Sequence, residues 1–244
     1  MKRDSLLVML LLLIFCCSLI TLTVLKIFGA RDRALAEVEI HGLNLAQAIS
    51  TYSDSVIRQG DQLLLGIVER LEADGYGSGE LIRLNTLVER QAKLMPQISS
   101  MSIYNVDGDL LMSTASQMPA LANVKDRAYF LHHLDVDFDD QEVFIGLPVR
   151  SRVNGEWVLT LSRRFNDRTG KALGVAVLSL RIENFLSLFG KFDVGEDGAI
   201  GLTFSDGKLL ARYPFREQDM GRDFSNSPIY AKYLLMEVSG TASY

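Results

Sequence analysis

Cysteine, proline and histidine are scarce in this 244-residue chain, with two, five and three residues respectively. Both cysteines, Cys16 and Cys17, sit side by side inside one apolar run. The rest of the chain therefore has no disulfide, no thiolate metal site and no thiol nucleophile. His41, His132 and His133 belong to no catalytic motif, because the sequence has no Gly-x-Ser-x-Gly, no His-Glu-x-x-His and no P-loop. An enzymatic role is disfavoured, and no cofactor or metal is expected. Gly and Pro are too few for a collagen, and 48% hydrophobic residues is too many for a disordered chain. Positive charge is also short. Residues 30–244 hold 22 basic and 29 acidic side chains, a net charge of −7. Such a balance repels phosphate and argues against a nucleic-acid partner.

What the chain does have is one long apolar segment. Between Leu6 and Phe28 the only charge is Lys26. As a helix this run is about 33 Å long, against roughly 30 Å of membrane hydrocarbon. It exceeds the usual signal-peptide core, and Phe28-Gly29-Ala30 sets a bulky residue where a cleavage site needs a small one. Residues 6–28 are therefore read as an uncleaved transmembrane anchor, with residues 1–5 cytoplasmic and the remainder outside. Cys16 and Cys17 are read as apolar filler in that span.

Residues 31–73 predict a long helix, with Leu35, Val38, Leu45, Ile49, Tyr52, Val56, Leu63, Ile67 and Leu71 at helical steps. Gly42, Gly60 and Gly66 weaken the pattern. A stripe this long needs its own domain or a second copy in a parallel dimer. The stretch 74–79 breaks it, and a second helix follows from Glu80 to about Leu94. After Pro96 the period changes to strands: Ser99–Val106, an Asp107-Gly108 turn, and Leu110–Thr114. A short helix over 126–134 precedes strands at Glu142–Arg152, Trp157–Phe165 and Leu173–Leu180, then a helix at Ile182–Phe189. This makes an antiparallel sheet of about five strands.

The strand, Asp-Gly turn, strand pattern then recurs. Ile103–Leu111 and Leu202–Leu210 both run from an apolar strand into x-Asp-Gly-x-Leu-Leu. The repeat implies two tandem modules, 97–190 and 191–244. Residues 227–236 are expected to form the second module's helix and Ser239 onward its next strand. A sheet ending there leaves an open edge, so the sequence is read as a fragment of a longer protein.

Several strings now carry a resemblance: Asp126-Arg127-Ala128-Tyr129-Phe130, Val143 to Arg152 (Val-Phe-Ile-Gly-Leu-Pro-Val-Arg-Ser-Arg), Leu161-Ser162-Arg163-Arg164-Phe165-Asn166-Asp167, and Gly174-Val175-Ala176-Val177. With the anchor and long helix, they resemble a double-Cache, tandem PAS-like extracytoplasmic sensor domain. Within that family the strings look most like sensors of bacterial membrane-bound diguanylate cyclases. No Gly-Gly-Asp/Glu-Glu-Phe sequence is present. The resemblance implies an α+β fold, with a long N-terminal transmembrane and dimerisation helix and then two Cache modules, the second incomplete. It also implies the inner membrane of a bacterium, a periplasmic sensor and a homodimer.

The resemblance further implies a ligand in module 97–190. In the amino-acid-binding subfamily an Arg-x-Trp pair grips the ligand carboxylate, and Arg127 and Tyr129 stand at those positions. An Arg fork gives two charge-assisted bonds to a carboxylate. Its alternative role is an ion pair with Asp126 or Asp135. The subfamily also holds the ammonium with two acids, where this chain has Gly146 (in Phe144-Ile145-Gly146) and Ser179. A buried ammonium with no carboxylate is costly. An organic acid or other small anion is therefore favoured over an amino acid. Candidate contacts are Arg127, Tyr129, Phe130, Phe144, Gly146, Ser162 and Ser179.

Arg150, Arg152, Arg163 and Arg164 are read mainly as cross-strand partners of Glu142, Glu156 or Asp167, the alternative being that they line an anion site, with Arg163 and Arg164 on opposite faces. Asp135, Asp137 and Asp139 begin like a calcium loop, but Asp140 and Gly146 stand where Gly and Glu are required, so the loop is read as solvated. The chain is thus read as a ligand sensor regulating a cyclic di-GMP output outside this sequence. The alternatives are a histidine kinase or chemoreceptor sensor, or an anchored module that binds another envelope protein.

Overall fold

The computed structural model describes residues 2–115, 123–134, 142–152, 154–227 and 230. Contacts divide the chain into two units, one taking in residues up to Ala48 and the other Ile49–Lys232. Helix α1 (Lys2–Asp74) runs without a break through the expected anchor and the expected stalk. No proline interrupts its N–H ladder, the first in the chain being Pro96. Its N-terminal part is long and apolar enough to cross a membrane, with a mean hydropathy of 2.5. Leu35, Val38 and Ile40 are exposed on it.

From Ile49 onward α1 belongs to the second unit. Ile49, Ser53, Val56, Gly60, Leu64, Ile67 and Leu71 are buried at steps of three and four. Leu64 takes the place expected for Leu63. Gly60 is the point of close approach to the sheet: a Cβ there would lie 2.7 Å from Leu161 Cδ1 and 3.0 Å from Leu178 Cδ2. The glycine that weakened the helical pattern is thus part of the packed stripe. Helix α2 (Ser78–Ala92) follows and buries Leu84 and Val88.

The sheet has six strands: β1 (Ile98–Asn105), β2 (Leu110–Ser113), β3 (Phe144–Ile145), β4 (Val149–Arg150), β5 (Trp157–Asn166) and β6 (Ala172–Arg181). Their order is β2-β1-β6-β5-β3, with β4 also on β5, and every pairing is antiparallel. Helix α3 (Ala128–Leu134) lies between β2 and β3 in sequence, and α4 (Ile182–Phe189) follows β6. The expected strand Glu142–Arg152 is instead the two short strands β3 and β4. Between them Gly146 N still donates to Thr160 O at 2.8 Å, but Pro148 has no N–H to continue the ladder.

The repeat is structural as well as sequential. Strands β7 (Ile200–Thr203) and β8 (Leu209–Tyr213) form a second, antiparallel sheet. In the two turns Gly108 and Gly207 have φ of +80° and +89°, a region that favours glycine. Gly108 N donates to Asn105 O and Val124 N to Gly108 O, both at 3.0 Å. Gly207 N and Phe224 N do the same to Phe204 O and Gly207 O, again at 3.0 Å. The helix expected over 227–236, the strand from Ser239 and the acidic loop 135–140 lie outside the described residues, apart from Ser227 and Tyr230.

Candidate functional site

Alternation along β1, β5 and β6 gives the first sheet two unlike faces. One is apolar, with Met101, Ile103, Leu159, Leu161, Phe165, Ala176, Leu178 and Leu180 buried. Arg163 shares this face and pairs with Asp61 on α1 at 2.7 Å. The other face carries Ser100, Ser102, Thr160, Ser162 and Ser179, and α3 lies against it.

A narrow cleft, with a cavity volume of about 20 Å³, lies on this hydroxyl-bearing face. Arg127, Tyr129, Arg150 and Arg152 line it together with Ser100, Tyr104, Thr160 and Ser179. Among the described residues, three arginines and no carboxylate contribute to the lining. Arg127 Nη2 donates to Arg150 O at 3.0 Å, which fixes its guanidinium at the β4 end. Arg152 holds Asp126 through two bonds of 2.7 and 2.6 Å and also donates to Asn123 O. That fork keeps the exposed Asp126 carboxyl down at about 2 and raises the Arg152 guanidinium in return. Burial raises both Tyr104 and Tyr129 above the ordinary phenol, so at neutral pH both are neutral donors. Thr160 is 3% exposed, and among the described residues its Oγ1 has no hydrogen-bond partner.

Of the candidates, Arg127, Tyr129 and Ser179 meet in this cleft. Phe130 lies beneath it, in a buried cluster with Tyr104, Val124, Tyr129, Val175 and Val177. Phe144 stacks on His132 with ring centroids 3.9 Å apart. Ser162 is fully buried and bonds His133 Nε2 at 2.9 Å. Gly146 abuts Thr160, which leaves no room for a side chain. Arg150 and Arg152 line the cleft, as the alternative reading of these arginines allowed, whereas Thr160, Ser100 and Tyr104 enter the site unannounced. Their signal was available as hydroxyl residues alternating with apolar ones on strands that a helix covers.

The arginine partners also differ from expectation. Arg150 reaches Glu217 at 2.8 Å and lies 5.1 Å from the Trp157 ring centroid. Glu156 pairs with Arg181 at 3.3 Å. Arg127 bonds a carbonyl rather than Asp126. Arg163 and Arg164 do face oppositely, Arg164 reaching His133 O at 3.3 Å.

Comparisons with known proteins agree with this fold. The dCache_1-like family, described as a histidine kinase sensor domain, matches residues 182–243. The crystal structure of the extracellular domain of rpHK1S-Z16, named as a histidine kinase, is 30% identical, covers 79% of this chain and 77% of its own, and superposes with a TM-score of 0.68. The chain belongs to the double-Cache family of sensor domains. At 24% identity, 57% of this double-Cache chain matches a probable methyl-accepting chemotaxis protein of Bacillus thuringiensis subsp. konkukian, and spans 20% of that protein's length. The fold is shared with the ligand-binding domain of the Pseudomonas aeruginosa amino acid chemoreceptor PctC in complex with GABA, at 16% identity, coverage of 79% and 83%, and a TM-score of 0.61. It is also shared with the sensory domain of the Campylobacter jejuni chemoreceptor Tlp3 with isoleucine bound, at 14% identity, coverage of 79% and 77%, and a TM-score of 0.57. These relatives are described as histidine kinase and chemoreceptors. The expected likeness to diguanylate cyclase sensors has no support among them.

Proposed function

We propose that this chain is the outward-facing sensory region of a transmembrane receptor whose cleft binds a small organic anion. One observation carries the reading: among the described residues, three arginines and no acid line a cleft floored by neutral hydroxyls. An anion gains charge-assisted bonds there, whereas an ammonium group finds no carboxylate partner. The chain binds and transmits rather than catalyses. A polar cleft enclosing Arg127 and Tyr129 favours small-molecule sensing over docking of another envelope protein.

The apolar part of α1 serves as an uncleaved anchor, and Leu35 and Val38, three residues apart on one face, offer apolar surface to a second copy in a parallel dimer. Binding biases the receptor by its differential affinity for two states. Asp61 and Gly60, which face Arg163, Leu161 and Leu178 across the sheet, give α1 its contact with β5 and β6. The output fed by that bias is a histidine kinase or the chemotaxis machinery, the two classes named among the relatives, in place of the cyclase.

Calorimetry on the full chain in lipid nanodiscs tests the reading. Dicarboxylates and hydroxy acids are expected to bind at least tenfold more tightly than the amino acids of matching shape, and Arg127→Ala to abolish binding. Preferential binding of an amino acid, or binding indifferent to Arg127, overturns it.

A further inference from the structure

A second depression lies where the two modules meet, and it shares no lining residue with the arginine cleft. Its cavity volume is about 290 Å³, near the lower end of the roughly 300–1,000 Å³ typical of small-molecule sites. Trp157, at the start of β5, and Leu186, on α4, come from the first module. Phe215, two residues beyond β8, comes from the second. Helix α4 packs against β8, which brings the two sides together. None of the three apolar side chains is fully buried, and Phe215 is 42% exposed. Single apolar residues scattered over a surface need no explanation, but two aromatic rings and a leucine left open around one concavity do.

The rim sets the charge of what fits. Arg181 is committed elsewhere: it donates to Pro96 O at 3.0 Å and to Ile98 O at 2.7 Å, and it pairs with Glu156 at 3.3 Å. Glu156 is filled as well, accepting from Ser99 Oγ at 2.6 Å and from Asn154 Nδ2 at 2.8 Å. Glu183, exposed in the first turn of α4, has no ion-pair partner among the described residues. The lining therefore offers one uncommitted negative charge beside two aromatic rings. An ammonium group gains a charge-assisted bond and attraction to the ring faces there, whereas a carboxylate meets a like charge. The Trp157 ring already accepts a cation, the Arg150 guanidinium lying 5.1 Å from its centroid.

We infer that the joint between the modules is a second ligand site, for an apolar amine: its ring or hydrocarbon lies against Trp157, Leu186 and Phe215, and its ammonium meets Glu183. The site stands independently of the anion reading of the cleft. Its position gives it a bearing on the receptor's two modules. Arg150, which rests on Trp157, accepts the bond from Arg127 through its carbonyl and holds Glu217 through its guanidinium. An occupant of the joint thus presses on the residue that links the cleft to the second module.

Trp157 is the only tryptophan in the chain, so its emission reports on this site directly. The test titrates the full chain, in phosphatidylcholine vesicles that add no tryptophan, with phenethylamine, phenethyl alcohol and hydrocinnamate. These probes share a phenyl ring on a two-carbon arm and end in a cation, a neutral hydroxyl and an anion. The amine is expected to shift the Trp157 emission saturably, with an affinity about tenfold or more above the alcohol and the acid. Glu183→Gln should remove that preference and leave the affinity for the alcohol unchanged. Phe215→Ala should weaken the amine at least tenfold without lowering the melting temperature, because the ring is exposed. Arg127→Ala should leave the amine's affinity unchanged. No saturable shift, equal affinity for the three probes, or amine binding indifferent to Glu183 and Phe215 overturns the inference. Loss of amine binding in Arg127→Ala assigns the amine to the arginine cleft and overturns it as well.

Discussion

Arg150 and Glu217 join the first module to the repeat that follows it. Arg150 lines the cleft, and its carbonyl oxygen accepts the bond from Arg127. Its guanidinium crosses to the Glu217 carboxylate at 2.8 Å, in the 3-10 turn Glu217–Asp219 after β8. The pair holds the Glu217 carboxyl below its ordinary range. One residue thus touches both Arg127, the proposed anion anchor, and the next module.

Breaking that pair should uncouple the modules with little loss of stability, because both side chains are more than half exposed. In Glu217→Ala the melting temperature should stay close to wild type. Hydrogen exchange should then show ligand protecting the cleft but no longer residues 209–222. Unchanged protection of 209–222 would refute a coupling role.

Asp126 tempers the positive charge of the cleft by occupying Arg152. Asp126→Asn should leave Arg152 anchored on Asn123 O and raise anion affinity several-fold, most strongly at low salt. A fall in affinity would mean that Asp126 serves only to position Arg152.

The site's titrating groups predict a broad pH plateau. Asp126 is depressed in the folded state, so its contribution is present above the usual carboxylate range and is lost only as pH falls from about 4 towards 2. Tyr104 and Tyr129 are raised, so their contribution is full below about pH 10 and declines above it, where the unfolded chain ionises first. Ligand affinity should be flat between pH 5 and 8. The alkaline decline in melting temperature should shrink in the double variant Tyr104→Phe, Tyr129→Phe.

Two glycines should tolerate substitution differently. At Gly60 the obstructing atoms are the ends of leucine side chains, and alanine also favours the helix by about 1 kcal/mol, so Gly60→Ala should be nearly neutral. Gly60→Leu should cost roughly 1–3 kcal/mol by overpacking. At Gly174 a Cβ would run into the Tyr104 carbonyl oxygen and the Phe165 ring, so even Gly174→Ala should cost at least that much and loosen β1 from β6. Chemical denaturation reads both.

Much of this architecture was legible in the residues themselves. Helical spacing announced α1 and α2, and period-two alternation announced β1, β5 and β6. Two Asp-Gly pairs marked the repeated turn because a positive φ favours glycine. The charge-poor run at 6–28 announced a segment able to cross a membrane. Arg127 and Tyr129 were identified by likeness to a sensor family, and the fold brings them together with Ser179.

Local sequence did not decide which groups would meet. The arginines on β4 and β5 were matched with nearby acids, yet Arg150 found Glu217 and Arg163 found Asp61, 67 and 102 residues away in sequence. Ser162 and Phe130 looked equivalent to Ser179 and Tyr129, but Ser162 is bonded to His133 and Phe130 is packed into the buried cluster. The sequence by itself determined the elements, because propensity, periodicity and turn chemistry act over a few residues. The tertiary structure decided the site, because a cleft is defined by which face each strand turns to its neighbour. It aligned Ser100, Ser179 and Thr160, distant in sequence, into one row through strand register.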